Sequence, residues 1–346
     1  MINPQNIIGT FVHGLFRLQG HKRPSKEEML KVWTEHKNIG YIPSVITDCN
    51  FLRHPESVNE RPEGHDGYDW FGVHWTYQPD TQSPMVTPGN PPLITDITKW
   101  EEQVTFPDLS KIDWAGYAEK ETKDWDRKNK YSEIMLINGC FERSHHLLGF
   151  ENALMAMYEE PEAYQALLNW IADYKCELIR YVVKYYKPDI LMMHDDYGAN
   201  DRMLMSPNLW REFIKEPLSR LVSTAHECGV IYEHHSCGHI EPIIGDLVEI
   251  GVDAINPLQR PCNDIEKIKK LYGGKITLVG GISSQAVLEN PNSTKEQIEA
   301  DIRYAYETLA PGGGYTCFPV VIDMGKSIPH LLRAHIKYSH KFADKP

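Results

Sequence analysis

The chain has 346 residues, enough for one large domain or two ordinary ones, and its 41% hydrophobic and 24% charged residues are a normal soluble composition. Its net charge of −12 excludes the basic surfaces that nucleic acids and anionic membranes require, and no apolar run approaches the length of a membrane span. Cys49, Cys140, Cys176, Cys228, Cys237, Cys262 and Cys317 are odd in number and irregularly spaced, and Met1 to Asn6 lacks the charged and apolar regions of a signal peptide, so the expectation is a cytoplasmic protein with reduced thiols.

Near the start, Lys26 to Lys37 reads as a helix and Tyr41 to Thr47 as a strand. Residues 50–130 are different: rich in Pro, Trp, Tyr, Asp and Gly, with little periodicity. Their aromatic content argues against disorder, and they read as an ordered insertion draped over one end of the fold. Within it, Trp70 to Trp75 is expected to pack or to cover the mouth. The remainder alternates apolar runs with helical patterns. Strands are expected at Ile134 to Asn138, Asp189 to Met193, Val230 to His234, Asp253 to Asn256, Ile276 to Val279 and Tyr315 to Cys317. Helices are expected at Phe150 to Tyr186 with a break near Pro161, and at Pro207 to Cys228, Ile240 to Ile250, Ile265 to Tyr272, Lys295 to Leu309 and Ser327 to Phe342.

The strand runs are continuous rather than alternating, as suits strands buried on both faces of a parallel sheet. Seven strands are visible, and an eighth is sought in Ile7 to Val12 or Trp70 to Trp75. The fold class is therefore α/β, a (β/α)8 TIM-type barrel, taken as a single domain over residues 1–346. A doubly wound sheet would carry a Gly-rich phosphate loop after its first strand, and there is none.

In such a barrel the active site lies at the C-terminal ends of the strands. Polar and metal-binding residue types collect there: Cys140, Phe141, Glu142, Arg143, His145 and His146 after one strand, His194, Asp195, Asp196 and Tyr197 after the next, then His234, His235 and Cys237, Asn256 and Gln259, and finally Cys317. His235 and Cys237 are two residues apart after an apolar run, so an extended chain points them the same way. With Cys317 from another strand end they form a candidate open zinc site, three protein ligands with one free position. Glu233, His234 and His239 are near enough in sequence to compete as ligands. Asp195 and Asp196 suit proton transfer, orientation of a histidine or substrate binding, or else a helix cap or support for a ligand. Glu142 and Arg143 are placed to pair with each other.

The motifs His235-Ser236-Cys237-Gly238, Gly251-Val252-Asp253-Ala254-Ile255-Asn256-Pro257, Gly280-Gly281-Ile282-Ser283 and Leu309-Ala310-Pro311-Gly312-Gly313-Gly314-Tyr315 resemble those of the uroporphyrinogen decarboxylase superfamily. The resemblance covers the chain from about Tyr41 onward. It implies either a metal-free tetrapyrrole decarboxylase or a zinc methyltransferase working with a corrinoid protein, and the His-x-Cys…Cys pattern is similar to that of the coenzyme M type. The decarboxylase needs several cations for a substrate with eight carboxylates, and the family's N-terminal Arg-Gln-Ala-Gly-Arg segment is absent. The expectation is thus a zinc-dependent methyltransferase moving methyl between a small methylated substrate, such as a methoxylated aromatic, and the cobalt of a corrinoid. Without an Asp-x-His-x-x-Gly cobalamin motif in this chain, the cobalamin is expected on a separate partner protein. Asp196 and Glu142 are the expected catalytic residues. Phe141, Arg143, His194, Asp195, Tyr197 and His145 are expected to bind substrate. A methylcobamide:thiol methyltransferase, a uroporphyrinogen decarboxylase and a non-catalytic partner of a corrinoid protein are the alternatives.

Overall fold

The computed structural model describes residues 4–318, 321 and 323–343. Helices α1 (Pro4–Leu18), α2 (Lys26–Thr34) and α3 (Val45–Asp48) precede the first strand, β1 (Cys49–Leu52). Ser25 and Glu28 start α2 with a reciprocal capping box, which satisfies N–H groups that have no partner within the helix. The insertion supplies β2 (Gly67–Tyr68), β3 (His74–Gln78), β4 (Ser83–Val86), α4 (Trp100–Gln103) and α5 (Trp114–Thr122). Regular βα units follow. β5 (Tyr131–Leu136) leads to α6 (Cys140–Leu148), α7 (Phe150–Glu159) and α8 (Pro161–Tyr186). β6 (Ile190–His194) leads to α9 (Pro207–Leu209) and α10 (Lys215–Glu227). β7 (Ile231–His235) and α11 (Ile244–Glu249), β8 (Ala254–Asn256) and α12 (Ile265–Tyr272), and β9 (Thr277–Val279) and α13 (Lys295–Leu309) repeat the pattern. β10 (Tyr315–Thr316) and α14 (Met324–Tyr338) complete it.

Seven parallel strands form one curled sheet in the order β1-β5-β6-β7-β8-β9-β10, a TIM-type barrel with helices outside. The gap between β10 and β1 holds the segment before α3: the Thr316 hydroxyl donates to Pro43 O at 2.7 Å. Tyr41 to Thr47 is therefore not a strand. Ser44 accepts the Ile46 N–H and starts α3 instead. Neither place proposed for an eighth strand supplies one. Ile7 to Val12 lies inside α1. Trp75 lies in a separate antiparallel sheet, β2-β3-β4, where its ring is buried and its Nε1 donates to Asp69 at 3.1 Å. No helix among the described residues is long and apolar enough to cross a membrane.

Strand parity decides what enters the barrel lumen. Cys49, Tyr131, Ile190, Ile231, Ala254 and Val279 cluster at its base. Met135, Ile137 and Met192 pack higher up with Phe51 and Phe318. Glu133 and Glu233 are buried in the same wall. Burial pushes the Glu133 carboxyl well above its usual range, with repulsion from Glu233 adding to it. Burial raises Glu233 to about 7, against hydrogen bonds from Trp33 and Asn256.

Two buried polar networks tie the periphery to the barrel. In one, Arg143 of α6 donates to Asp69 at 2.7 Å and to Glu60 O at 2.6 Å, while Lys175 of α8 pairs with Glu60. In the other, Asp48 faces His13 Nε2 at 2.6 Å and accepts from the Tyr41 hydroxyl and the Ser44 N–H. Burial opposes the Asp48 charge, but His13, His335 and these donors hold its carboxyl well below the usual range. A lowered folded-state pKa contributes stability above the unfolded value that is lost as pH falls. Asp48→Asn is expected to cost about 1–3 kcal/mol at neutral pH. The gap from wild type should narrow below about pH 4, the ordinary aspartate range, in urea melts at several pH values.

Candidate metal centre

The last residues of β6 and β7 and the loops that follow them build the site. His194 pairs with His235 in the ladder, and His235 with Asn256 of β8. Asp195 N–H donates to His235 O at 2.9 Å, and Ser236 N–H to Asn256 O at 2.8 Å. These bonds extend the ladder beyond the strands and hold the loop residues near the rigidity of the sheet. Farther on, His239 N–H donates to Ala199 O at 2.7 Å, which locks the two loops together.

Among the described residues, His194, Asp196 and His235 bring ligand atoms within 4.8 Å of one another. The two imidazoles stack at 4.4 Å and 16°. Their Nε2 atoms lie 4.0 Å and 3.9 Å from the same Asp196 oxygen. The Cys237 sulfur is 3.5 Å from His235 Nε2. Each ring is held through its other nitrogen. His194 Nδ1 lies 2.7 Å from Glu142 Oε2, and a carboxylate only accepts, so Nδ1 carries the hydrogen. His235 Nδ1 lies 2.9 Å from the Asn256 amide oxygen and donates to it. Nε2 of each ring is the nitrogen left to face a ligand, the arrangement that metal-binding histidines use, and His194 would give up its Nε2 proton to bind one.

The donor set fits a zinc-type ion. Tetrahedral zinc, with bonds of about 2.0–2.3 Å, spaces its donors about 3.3–3.6 Å apart. The Cys237–His235 separation already has that value. The Asp196 oxygen, 4.0 Å and 3.9 Å from the two Nε2 atoms, would move inward about half an ångström, and the Cys237 sulfur, which lies outside the cluster of the other three, would swing toward them.

Charges around the site are opposed. Burial lowers His194, but Glu142 and Asp196 outweigh it and raise the ring to about 9. Burial, with help from His194, lowers His235 to about 3. Burial raises Asp196, but His194, His235 and the Cys237 N–H, which donates at 2.6 Å, leave it below its usual value. Burial and the Glu142 charge raise Asp195 to about 7.

The sequence expectations divide here. His235 and Cys237 are adjacent, as their spacing implied. His194 and Asp196, expected in substrate binding and catalysis, bring ligand-type atoms within 4.8 Å of His235. Cys317 is not among the converging atoms: it is buried, and burial, opposed by the Tyr306 and Tyr315 hydroxyls, pushes its thiol up to about 11. Tyr315 packs on Tyr306 of α13 with ring centroids 5.7 Å apart. Two residues on, Cys317 faces the same helix, whereas Phe318 enters the lumen against Phe51.

Several of the expected substrate-binding residues are buried in packing or in ion pairs. Arg143 is 0% exposed and pairs with Glu60 and Asp69, not with Glu142. Phe141 and Tyr197 are fully buried, and Tyr197 donates to Asp195 at 2.8 Å while its ring stacks on His234. His145 packs against Phe141 and Phe150. Burial, then Arg143, lowers it to about 4. Asn256, which the sequence marks only as a strand-end residue, holds His235 through Nδ1. Its signal was its place at the end of the strand after the His-x-Cys.

Beside the donors a cavity of about 570 Å³ opens, lined by Leu154, Tyr158, Met203, Met205, Leu209 and His239 among others. It does not include His194, Asp196 or His235. Its wall includes His239, two residues beyond Cys237.

A search of curated proteins finds no match to this chain. Among solved structures, a methyltransferase from Methanosarcina mazei superposes with a TM-score of 0.60 at 18% identity, covering 78% of this chain and 76% of that one. At this identity the likeness concerns the fold. A family profile described as uroporphyrinogen decarboxylase (URO-D) matches residues 68–317, which include the donor strands and most of the barrel. On that match, the chain belongs to the uroporphyrinogen decarboxylase (URO-D) family.

Proposed function

We propose that this protein is a metal-dependent methyltransferase that moves a methyl group between a small methylated substrate and the cobalt of a corrinoid carried by a separate protein. The observation that carries the reading is the convergence of ligand atoms of His194, His235 and Asp196 at the barrel mouth, with the Cys237 sulfur beside His235 Nε2. The fold likeness to a structure named as a methyltransferase supports it.

His194, His235, Asp196 and Cys237 would hold a zinc-type ion. Bound there, such an ion supplies Lewis-acid stabilisation at the heteroatom end of a methyl displacement. The chain's own groups do the rest. Glu142 and Asn256 fix the imidazoles through Nδ1. Asp196, more exposed than His194 and His235 at 31%, is kept anionic by its neighbours. It therefore serves as a ligand or proton acceptor, not as the proton source. Glu142 is engaged by His194, which makes orientation its role rather than proton delivery.

Phe141, Tyr197 and Trp75 are buried in packing and do not support an aromatic substrate. The cavity beside His239 suits one better: its Met, Leu and Tyr wall takes a small ring, and Asp201 and Arg202 at the same wall suit polar substituents such as those of a methoxylated aromatic. A tetrapyrrole polycarboxylate is disfavoured. Arg61, Arg143 and Arg202 are each already paired with an acid.

The test is methyl transfer by the purified protein. The expected result is loss of methyl from a methoxybenzoate to Co(I) corrinoid, abolished by chelation and by His235→Ala. Transfer only from methylcobalamin to a simple thiol would replace this reading with the thiol type. Release of carbon dioxide from a tetrapyrrole carboxylate would contradict it.

A further inference from the structure

Helix α6 begins without a side-chain cap of its own, because its N-cap residue is Gly139. The first N–H groups of a helix have no partner within it and must find one elsewhere. Here the Phe141 and Glu142 N–H groups donate to Asp195, at 3.1 Å to Oδ2 and 2.8 Å to Oδ1. Asp195 follows β6 directly, so a residue of one βα unit caps the helix of the previous one. The Tyr197 hydroxyl donates to Oδ2 at 2.8 Å and fixes the carboxylate. The turn itself is tied down, since Gly139 N–H donates to His194 O at 2.6 Å. A β-carbon at position 139 would collide with the Asp195 side chain, so only glycine permits this approach.

We propose that Asp195 is a positioning residue for the metal centre, acting through Glu142. It rests on the reading of His194 as a ligand. By holding both N–H groups at the start of α6, Asp195 sets where Glu142 emerges. Glu142 then meets His194 Nδ1 at 2.7 Å, which fixes both the ring plane and the tautomer, and Nε2 turns toward Asp196. The Asp195 carboxylate is occupied by its three donors and is not one of the converging ligand atoms. Its influence on the metal passes along Asp195, the α6 N-terminus, Glu142 and His194.

The experiment measures zinc affinity of the full-length protein by competition with a chromophoric chelator, and the visible spectrum of the Co(II) form. Removing a carboxylate behind a ligating histidine typically weakens metal binding by about 10–100-fold. Glu142→Ala should fall in that range, and Glu142→Gln, which keeps an acceptor oxygen, should recover most of the loss. Asp195→Asn offers one acceptor in place of two and should weaken binding by about tenfold or more. Because it acts through Glu142, the double variant Glu142→Ala/Asp195→Asn should bind no more weakly than Glu142→Ala alone. Tyr197→Phe removes one hydrogen bond, leaves the backbone contacts, and should give a smaller loss. It carries the test if Asp195→Asn fails to fold by circular dichroism. Wild-type affinity in Tyr197→Phe and Asp195→Asn overturns the proposal, as does full additivity in the double variant. Wild-type protein that binds neither zinc nor cobalt overturns the metal reading itself, and the proposal with it.

Discussion

Arg143→Leu is expected to destabilise the protein by about 3–5 kcal/mol, the cost of removing one partner from a buried ion network. The guanidinium is 0% exposed and sits between two equally buried acids, Glu60 and Asp69. It also lies over the Phe71 ring at 4.2 Å. Without it, Asp69 loses its cation while still held by the Phe71, Val73 and Trp75 N–H groups, and Glu60 keeps only Lys175. Charges stranded this way cost far more than the intact pair contributes. The residues concerned join the insertion to α6 and α8, so the loss should appear as loosening of residues 53–78 ahead of the barrel. Urea melts would give the magnitude, and hydrogen exchange the location. A variant with wild-type stability would mean that the insertion is anchored elsewhere.

The second large effect is expected from Gly238→Ala. Gly238 has a φ of +79°, which costs an L-residue about 1–2 kcal/mol. A β-carbon there would run into the backbone of Gly198 and Ala199. The neighbour is main chain, so it cannot swing aside as a flexible side chain would. The loops must separate, and they carry Asp196 on one side and Cys237 on the other. The outcome is a loss of about 2–4 kcal/mol, counting strain and displaced backbone together, and weakened metal binding. Ser236→Ala, one hydrogen bond away in the same loop, is the control for loop chemistry without backbone collision.

The barrel was legible in the sequence because its strands are buried on both faces. The runs at Ile134, Ile190, Val230 and Ile276 are unbroken, and βα alternation forces a parallel sheet. The first strand was misplaced because Tyr41 to Pro43 is apolar and extended without joining the ladder, while Ser44 and Asp48 turn the chain into α3. The site was legible as a neighbourhood and not as a ligand set. His235 ends β7 and Cys237 follows two residues later in extended chain, and the two-residue spacing reveals their proximity. Which side Cys317 takes depends on the parity of β10 relative to the lumen. A two-residue strand after a Gly-rich turn does not show that parity. The roles of His194 and Asp196 depend on cross-strand register, His194 opposite His235, which no single segment contains. Arg143 looked like a substrate cation because its partners, Glu60 and Asp69, lie some 74–83 positions earlier in an aperiodic stretch.

Metal analysis separates the two ligand sets most directly. Protein purified without chelator or affinity tag would be assayed for zinc beside His194→Ala, Asp196→Ala, His235→Ala and Cys317→Ser. The geometry predicts about one metal per chain, consistent with a single mononuclear site. That metal should be lost or strongly weakened in the first three variants and retained in Cys317→Ser. Zinc that survives His194→Ala and Asp196→Ala but disappears with Cys317→Ser, or no metal in any of the proteins, would contradict the site described here.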